Sequence, residues 1–528
     1  MPQSQSDRTN SWFDQGDGMP PALPGNELTY LIDGEDAFRE IVAAMRRANS
    51  PRDFIYIVNW FCAVDFALIR ITEAGQNAQT LRGVIEGAAA AGVMIRALLW
   101  KEPDSSQNTD AVKFFNGTEA TGRHGDRSNA RPALRNAAAI HDDRGDKPLS
   151  IAGIHLLGSI PRALGAQHQK ILCVFAGGRL DSFCGGMDFK EDRIAIPVPK
   201  PPGGLFTKFR DLDAPTGEGE PLHDVHCRVR GPAAFEFVKL FAEKWNHHPE
   251  AKTFNATKGE LIIPPVPHQA GDHVVQVART YRAGVYDFCP QGDFSAARMI
   301  GHAIRKARRF IYTEDQYFTG APALEEALLA ALPNIEHLTI LLTHWELSDI
   351  PFVNYRRRRF LRTLTANPEH AQKVRVFTLQ PEGNTVLFQK GHERHTYVHS
   401  KVWIIDDEFA VIGSLNSNQR SWMHDSEVAA GIYDPATEGS NHARLPHSLR
   451  IELWQEHLNM GTPEGAAELW DGVASAVHWL HPPKGARVRP HDLDERNQRG
   501  ENDQGLPFPF PRFLADSDLV WNNIFDPD

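Results

Sequence analysis

Apolar residues follow two spacings along the chain, one typical of helices and one typical of strands. They recur with helical spacing over residues 36–48, and the aromatic and β-branched run Phe54–Phe61 predicts a strand directly afterwards. A second helix is predicted over Ala78–Ala91 and a second strand over Val93–Trp100. Helices that alternate with apolar strands indicate an α/β fold whose sheet, parallel or mixed, is covered by helices.

The same order of elements returns in the second half of the chain. Helices are predicted over Phe294–Arg309 and Ala323–Ala331, and strands over Phe310–Phe318 and His337–Trp345. The two leading strands begin alike, with FIYI in the first half and FIYT in the second. We interpret the repeat as an internal duplication of about 250 residues, which predicts two lobes of like fold.

Polar stretches divide the chain further. Residues 1–27 are rich in polar residues, proline and glycine, and they are predicted to form a flexible N-terminus. Residues 101–150 and 197–221 are predicted to be loops inside the first lobe. The other predicted parts are the first lobe, the second lobe and a C-terminal tail packed on the body, at residues 28–265, 266–485 and 486–528.

The charge balance argues against nucleic acid as a partner. The 528 residues carry a formal net charge of -11 with histidine neutral, whereas nucleic-acid-binding proteins neutralise phosphates with basic surfaces. No nucleic-acid partner is therefore expected, although an acidic protein can still contain a local basic cleft.

The sequence shows no signal peptide and no transmembrane segment of the usual kind. Its N-terminus lacks a basic start and an apolar stretch, and no apolar run reaches about 18 residues. We therefore expect a protein that is cytoplasmic, or exported without a signal peptide, and that meets membranes from the water side. The five cysteines are widely spaced, which predicts free thiols and no zinc site among them.

The first half contains a His-x-Lys sequence, His168 and Lys170, at the start of an apolar run. Residues i and i+2 of a strand face the same side, so the imidazole and the ammonium are expected to point off one face. A glycine-rich turn then leads to a strand that is expected to bring a short polar side chain alongside. The turn residues are Gly185, Gly186 and Asp188.

The second half repeats this arrangement with His399 and Lys401. Its turn residues are Gly413, Ser414 and Asn416. Two such sets, brought together by a pseudo-twofold axis, would form a cationic pocket suited to a phosphate.

This combination of side chains suits the displacement of a phosphodiester. The reaction needs a nucleophile, charge on the non-bridging oxygens and an acid for the leaving alcohol. One neutral histidine can attack phosphorus to form a phosphohistidine, and the other, protonated, can donate to the leaving oxygen. Lys170 and Lys401 would supply the positive charge. The residues alone leave open which histidine attacks.

The paired motifs resemble the signature of the phospholipase D superfamily, H-x-K-x4-D followed by G-[SG]-x-N. The second motif, which includes Asp406, matches in full. The first matches in part, because Phe175 stands in place of the motif aspartate and Asp188 in place of the asparagine. Further stretches, in the family's order, are similar to phospholipases D proper, namely residues 223–226, 231–234, 314–318 and 425–427.

The resemblance implies roles for individual residues. It makes His168 the nucleophile and His399 the general acid, with Asp224 orienting His168 and Glu427 orienting His399. It also implies a phosphate-binding set of Asp188, Asn416 and Ser414 and a structural set of Asp406, Gly185, Gly186 and Gly413. The replacement by Phe175 is expected to affect the packing of the lobe rather than activity.

The resemblance further implies two similar α/β lobes, each a mixed β-sheet flanked by helices, with the active site between them and no metal or other cofactor. The leading hypothesis is a phospholipase D that hydrolyses or transphosphatidylates glycerophospholipids at a membrane surface, releasing phosphatidic acid and a headgroup alcohol. The enzymatic alternatives are a phosphatidyltransferase similar to cardiolipin synthases, a metal-independent nuclease, and a secreted antibacterial phospholipase with an immunity or delivery partner. The non-enzymatic alternative is a lipid- or partner-binding relative that has lost turnover.

Three other features have ordinary interpretations. The run Arg356–Arg359 is expected to be a solvated helix face, with a grip on anionic headgroups as the alternative. The cluster 392–395 lacks the helical spacing of a zinc site and is expected to be a loop. Four tryptophans on or near strands are expected to be mostly core, with some at an acyl entrance, namely Trp60, Trp100, Trp345 and Trp403.

Overall fold

A computed structural model describes residues 11–69, 79–101, 107–118, 134–142, 166–190, 193, 195–197, 208–210, 222–344, 353–380, 388–389, 392–393, 395–435 and 444–491. Within these ranges, a single mixed sheet of 15 strands runs through both halves of the chain. Helices lie on both faces of this sheet, as the separate hydrophobic clusters on its two sides show.

The first half alternates helices and strands in the predicted order. Its strands are β1 (Ala22–Ile32), β2 (Phe54–Asn59), β3 (Ala67–Ile69), β4 (Gln79–Thr80), β5 (Met94–Leu99), β6 (Ala137–His141), β7 (Ile171–Ala176), β8 (Arg179–Gly185), β9 (Ala195–Pro197), β10 (Lys208–Arg210), β11 (Leu222–His223) and β12 (Val225–Arg230). Its helices are α1 (Asp33–Arg47), α2 (Leu81–Ala90), α3 (Gln107–Asn116), α4 (Ala234–Asn246) and α5 (Ala251–Lys258).

The second half repeats the pattern. Its strands are β13 (His273–Thr280), β14 (Phe310–Asp315), β15 (His337–Leu342), β16 (Val374–Leu379), β17 (Phe388–Gln389), β18 (His392–Glu393), β19 (Tyr397–Val398), β20 (Val402–Ile405), β21 (Phe409–Gly413), β22 (Glu427–Tyr433) and β23 (Val488–Pro490). Its helices are α6 (Ser295–Lys306), α7 (Pro322–Ala331), α8 (Val353–Leu364), α9 (Pro368–Ala371), α10 (Gln419–Met423), α11 (Leu445–Leu458), α12 (Pro463–Glu468) and α13 (Val477–Leu480), with 3-10 turns at Leu332–Asn334 and Ala474–Ala476.

The order of strands in the sheet reveals the duplication. From the centre outward, the first half runs β1, β12, β8, β7, β2, β5, β6, and the second half runs β13, β22, β21, β20, β14, β15, β16. The central strands β1 and β13 are antiparallel neighbours, as a twofold axis between them requires. The extra strand β23 pairs with β16 at the outer edge of the second half. This strand-for-strand match confirms the predicted mixed α/β fold with two similar halves.

Side chains of each strand alternate between two layers of core. In β2, Phe54, Tyr56 and Val58 join a hydrophobic cluster that extends through both halves and includes α4 and α11. Ile55 and Ile57 face the opposite side, in a cluster with α1 and α2 that belongs to the first half. The continuous apolar run is therefore explained by burial of the strand on both faces.

The predicted helices and strands are found with shifted ends. The strand predicted over Phe310–Phe318 ends at Asp315. The reason is local, because Oδ1 of Asp315 accepts hydrogen bonds from the main-chain N–H groups of Tyr317 and Phe318 at 2.8 and 2.7 Å. Asp315 thereby turns the chain out of the sheet.

The described part of the N-terminal segment is packed on the second half rather than extended into solvent. Trp12 and Phe13 are buried, and both rings contact Phe409, with centroid distances of 5.7 and 5.3 Å. The predicted start of the first lobe at residue 28 falls inside β1, which begins at Ala22. The polar composition predicts a flexible segment, but the burial of these two aromatic side chains holds the described part of it against the second half.

The predicted loop at residues 101–150 also contains regular structure. Helix α3 buries Phe114 and Phe115, and the small apolar residues of β6 extend the sheet in parallel beside β5. The rest of this stretch, most of the predicted loop at 197–221, Trp345 and the tail beyond residue 491 lie outside the described residues. The other proposed boundaries between lobes and tail remain predictions.

The arginine run differs from its expected role as a solvated face. Arg356, Arg357 and Arg358 are buried in α8, and only Arg359 of the four is exposed. Arg357 donates to the carbonyls of Gln316, Tyr317 and Thr343 at 2.7–3.0 Å, so it links the segments that follow β14 and β15.

The five cysteines are free thiols, as expected. No described helix has the length and apolar character needed to cross a bilayer.

The two halves anchor equivalent loops with different carboxylates. Asp406 accepts main-chain hydrogen bonds from Arg308, Arg309 and Phe310 at 2.7–2.9 Å. In the first half, where Phe175 replaces this aspartate, the Phe175 ring stacks on Phe54 with a centroid distance of 5.6 Å.

Asp53 performs the anchoring in the first half. Its carboxylate accepts from the main-chain N–H groups of Asn49, Ser50 and Gly177 at 2.9–3.2 Å. The departure from the motif is therefore compensated within the same half by a carboxylate from the neighbouring strand.

Substitution of the Asp406 anchor should destabilise the fold. Asp406→Ala removes the acceptor of three main-chain N–H groups, and we expect the free energy of unfolding to fall by roughly 2–4 kcal/mol. Asp53→Ala should cause a similar loss, whereas Asp110→Ala, which removes one exposed ion pair, should change it by less than about 0.5 kcal/mol. Urea denaturation measures all three, and equal stability of Asp406→Ala and Asp110→Ala would contradict the assignment.

Candidate active site

The two histidines lie on extended segments just before the strands that follow them. His168 and Lys170 precede β7, and His399 and Lys401 lie between β19 and β20. The sequence predicts that the histidines and lysines lie on those strands, and the structure corrects this, because all four precede them. They leave the sheet because each segment pairs with the opposite half of the molecule instead.

Each histidine is oriented by a carboxylate from the other half, which reverses the expected pairing. Nδ1 of His168 lies 2.8 Å from Oε1 of Glu427, and Nδ1 of His399 lies 2.8 Å from Oδ2 of Asp224. All four side chains are buried. With Nδ1–H donating to the carboxylate, Nε2 of each ring is left to react.

Strand pairing between the halves causes this exchange. The main-chain N–H of His168 donates to the carbonyl of Ser426 at 3.0 Å, and that of His399 donates to the carbonyl of His223 at 2.7 Å. Short parallel pairings flank both contacts, between Gln167 and Ser426 and between β11 and β19. The acid that follows Ser426 or His223 is therefore placed beside the histidine of the opposite half.

The two lysines are buried near the histidines and are held by main-chain and amide oxygens. Nζ of Lys170 donates to the carbonyl of His168 at 3.0 Å. Nζ of Lys401 donates to the carbonyl of His399 at 2.5 Å and to Oε1 of Gln316 at 2.9 Å. Each ammonium therefore points toward the segment that carries its own histidine.

The small residues of the two turns make room for the carboxylates. A Cβ atom at Gly186 would lie 2.1 Å from Oδ1 of Asp224, a distance that no side chain can adopt. Ser414 occupies the equivalent position in the second half, and its hydroxyl donates to Oε2 of Glu427. Ser414 thus acts on His168 through Glu427, and this contact corrects its expected role as a phosphate ligand.

Asp188 is also engaged with protein groups rather than open to a phosphate. Oδ1 of Asp188 accepts from the N–H groups of Trp60 and Phe61 at 3.2 and 3.1 Å. Oδ2 lies 3.7 Å from Lys170 and 3.8 Å from Arg193. Because a carboxylate repels a phosphate, Asp188 is better described as a group that positions the cations of the first half.

Asn416 is the remaining member of the expected phosphate-binding set. It is completely buried, and neither its amide nitrogen nor its oxygen has a hydrogen-bond partner among the described residues. Buried amides in proteins are normally paired. A ligand that offers both an acceptor and a donor would therefore stabilise this side chain.

Arg193 is a site residue that the sequence analysis missed. Its Nη2 lies 3.4 Å from Nε2 of His399, so a cation of the first half faces the reactive nitrogen of the second. Trp60 was assigned to the core, yet its ring packs edge-on against His168 at 5.1 Å and stacks on Trp100 at 3.8 Å. Both residues stand shortly after a strand end, and that position was the available signal.

Burial and the cluster of cations favour the neutral form of both imidazoles. Burial, followed by the charges of Lys170 and Lys401, holds the pKa of His168 well below its usual range. Burial, followed by the charges of Lys401 and Arg193, does the same for the pKa of His399. A neutral imidazole is the form that can attack phosphorus.

The same burial alters the neighbouring groups. It raises the pKa of Asp224 to about 6, against the opposing charges of Lys401 and Arg193. It lowers the pKa of Lys401 to about 7. Burial, and next the charge of Asp425, raise the pKa of Glu427, which makes Glu427 a stronger acceptor for Nδ1–H of His168.

The clusters of metal-ligand type among the described residues adjoin Asp224 in the chain through His223, and neither includes His168 or His399. They are His223–Glu314–His457 and Asp33–His223–Glu456. The pocket itself offers imidazoles that are already bonded to carboxylates, together with cations that oppose a metal ion.

Comparison of the sequence with known proteins identifies the family that it matches. The family model "Phospholipase D" matches residues 47–328 and 367–469. The chain is 25% identical over 549 aligned residues to "Phospholipase D alpha 1" of Nicotiana tabacum, covering 81% of this chain and 64% of that protein. It is 26% identical to "Phospholipase D alpha 3" of Arabidopsis thaliana, covering 83% of this chain and 65% of that protein. The chain thus spans just under two thirds of the length of these relatives.

A solved structure supports the fold. The crystal structure of phosphatidylserine synthase from Haemophilus influenzae Rd KW20 superimposes with a TM-score of 0.52 at 12% identity, covering 90% of this chain and 96% of that chain. Because the family model matches most of the sequence, and the paired His-x-Lys motifs meet in one pocket, the chain belongs to the phospholipase D family.

Proposed function

We propose that this protein is a phospholipase D that cleaves glycerophospholipids through a covalent phosphohistidine, releasing phosphatidic acid and a headgroup alcohol. The observation that carries the proposal is the crossed pair of buried imidazoles, each bonded at Nδ1 to a carboxylate from the other half. This arrangement supplies two reactive Nε2 atoms to a pocket that also contains Lys170 and Lys401.

In the first step, Nε2 of His168 attacks phosphorus and the bond from phosphorus to the headgroup oxygen breaks. The leaving oxygen takes a proton from Nε2 of His399, so the alcohol departs neutral. Lys170 and Lys401 stabilise the negative charge on the non-bridging oxygens. The phosphatidyl group is then bonded to His168.

In the second step, His399 accepts a proton from water as the water oxygen attacks phosphorus. The bond to His168 breaks, phosphatidic acid leaves, and His399 is again protonated. An alcohol in place of water would give transphosphatidylation by the same route. Hydrolysis and transfer therefore use one set of residues.

The position of Arg193 favours His168 as the nucleophile. The guanidinium faces Nε2 of His399 at 3.4 Å and disfavours both a proton and an attack at that nitrogen. Arg420, the second-half arginine whose charge reaches His168, is instead bound to both oxygens of Asp425 at 2.9 and 3.2 Å. A bound phosphate would attract Arg193, and its negative charge would favour protonation of His399.

The acidic net charge of -11 favours a lipid over a nucleic acid as substrate. A membrane surface is the proposed site of action. A nuclease of the same superfamily is the outcome that would overturn this choice of substrate.

A vesicle assay tests the proposed activity. Mixed phospholipid vesicles with EDTA and a little ethanol should yield phosphatidic acid and phosphatidylethanol. His168→Ala and His399→Ala should each reduce the rate by roughly 10³-fold or more, because each removes a reacting imidazole. DNA cleavage in EDTA without a lipid product would instead assign a nuclease, and no product from either substrate would contradict the enzymatic proposal.

The exchanged carboxylates predict different effects for Asp224 and Glu427. Asp224→Asn should behave like His399→Ala, losing roughly 10²–10⁴-fold on a lipid with a choline or ethanolamine headgroup. A lipid with a p-nitrophenol leaving group needs no general acid, so both variants should lose less than about tenfold in kcat/KM on it, because kcat/KM covers the steps up to headgroup release and not the later attack of water.

Glu427→Gln provides the matched comparison, because it should behave like His168→Ala and lose activity on both lipids. Values of kcat/KM for headgroup release from the two lipids decide between the pairings. If Glu427→Gln were rescued by the better leaving group and Asp224→Asn were not, the roles of the two histidines would be reversed.

The low pKa of Lys401 predicts weaker substrate capture at alkaline pH. Lys401 is charged below its pKa of about 7, so kcat/KM should fall as pH rises through about 7. Lys401→Arg keeps its charge and should remove this fall. A profile of kcat/KM between about pH 5.5 and 9 measures the difference. An unchanged alkaline limb in the arginine variant would show that Lys401 does not cause the fall.

A further inference from the structure

Four ionisable side chains form a buried cluster directly behind Asp224. Nδ1 of His223 lies 3.1 Å from Oδ1 of Asp33, and Nε2 of His223 lies 2.9 Å from Oε2 of Glu314. Nε2 of His457 lies 3.0 Å from Oε1 of the same glutamate. All four side chains are nearly or completely inaccessible to solvent. The proposed reaction uses none of them.

Main-chain hydrogen bonds connect the cluster to Asp224 and to His399, the proposed general acid for the leaving group. The N–H of Asp224 donates to Oδ1 of Asp33 at 3.1 Å, and the N–H of Asp33 donates to the carbonyl of Asp224 at 2.8 Å. The carbonyl of His223 accepts from the N–H of His399 at 2.7 Å. A displacement of His223 would therefore move both members of the Asp224–His399 pair.

The charges in the cluster favour a permanent imidazolium at His223. Burial acts to lower its pKa, but the two flanking carboxylates, Glu314 and Asp33, outweigh burial and hold that pKa well above its usual range. Burial likewise acts to raise the pKa of Glu314, but His223 and His457 hold it well below its usual range. The result is a positive charge next in sequence to Asp224.

The same side chains have the composition of a metal site, but their geometry is that of hydrogen bonds. The rings of His223 and His457 meet different oxygens of Glu314 at 2.9 and 3.0 Å, and the Tyr312 hydroxyl donates to Oε1 at 2.7 Å. Donors distributed over both oxygens satisfy the carboxylate without a cation.

On the other side of the pseudo-twofold axis, a neutral residue stands at the position of His223. Ser426 takes the place of His223, since its carbonyl accepts the N–H of His168 in the same way. The Ser426 hydroxyl is bonded to the Tyr286 hydroxyl at 2.7 Å. The two catalytic pairs are therefore supported differently, and the imidazolium lies on the side of the proposed general acid.

We propose that His223 is a positioning residue for the leaving-group acid, a buried imidazolium that fixes Asp224 and keeps it ionised against His399. This inference rests on the proposed function. The groups that face Asp224 include His399, Lys401, Arg193 and the adjacent His223, and each positive charge among them favours the carboxylate. Burial opposes them and raises the pKa of Asp224 to about 6.

Removal of the imidazolium charge should move the acid limb of the pH profile. His223→Gln keeps a hydrogen-bond donor but carries no charge, so Asp224 should bind a proton more readily and the acid limb of kcat/KM should rise by about one pH unit. Near pH 6 the loss should be roughly fivefold on a lipid with an alkyl headgroup and smaller on one with a p-nitrophenol leaving group. Tyr286→Phe is the matched control for the other layer and should leave the acid limb in place.

Histidine NMR of the full-length wild-type protein tests the same charge without turnover. The His223 ring, assigned by comparison with His223→Gln or by its hydrogen bonds to two carboxylates, should remain an imidazolium up to about pH 8. If the ring titrates near its unperturbed value of about 6.5, the inference is overturned whether or not the variant folds.

The remaining outcomes distinguish a structural role for His223, a metal site and failure of the proposed function. An equal loss on both lipids with an unmoved acid limb would reduce His223 to a purely structural role. Stoichiometric zinc in the purified wild-type protein, absent from His223→Gln, would replace the imidazolium with a metal site. Failure of the wild type to cleave any lipid would overturn the proposed function, while the NMR titration would still decide the charge of His223.

Discussion

The exchange of carboxylates between the two halves is the constraint on which the site depends. Glu427 orients His168 and Asp224 orients His399, so neither half contains a complete pair of imidazole and acid. The pairing requires the edges of the two halves to stay in register, because the histidine segments bond to the opposite half through main-chain groups. A sheet that is continuous across β1 and β13 supplies this register. The fold of the whole molecule is thus part of the geometry of each histidine.

Much of the architecture could be predicted because it is written in local patterns. The helical and strand spacings are repeated in each half, and a duplicated sequence with matching elements implies two similar halves. Burial of β2 and its neighbours on both faces explains their continuous apolar runs. The same reasoning failed where packing was not local. The N-terminal aromatics bury against Phe409, and β6 pairs with β5 across a polar stretch that contains α3.

The site was predictable as a set of residues but not as a set of contacts. The spacing of the motifs selects both histidines, both lysines and both acids, yet it contains no information about which acid reaches which histidine. That depends on parallel pairing between segments far apart in the sequence, such as His223 with Val398. The turn residues were misjudged for a similar reason. Ser414 looks like a phosphate ligand in the motif, but the cross-half acid Glu427 uses its hydroxyl first.

Duplication explains the symmetry of the site, and under the proposed function the departures from symmetry would give its two histidines different tasks. A phosphoryl transfer of this type needs one imidazole that is free to attack and one that holds a proton, so two identical halves would be poorly suited to it. The first half places Asp188 where the second places Asn416, and Arg193 faces His399 while Arg420 is held by Asp425. Behind the pairs, the ionic contacts of His223 stand opposite the neutral contact of Ser426. Each difference changes the charge around one Nε2 atom more than the other. The motif aspartate lost at Phe175 belongs to a separate class, because Asp53 accepts main-chain hydrogen bonds from Asn49, Ser50 and Gly177, and we expect the asymmetry there to affect stability.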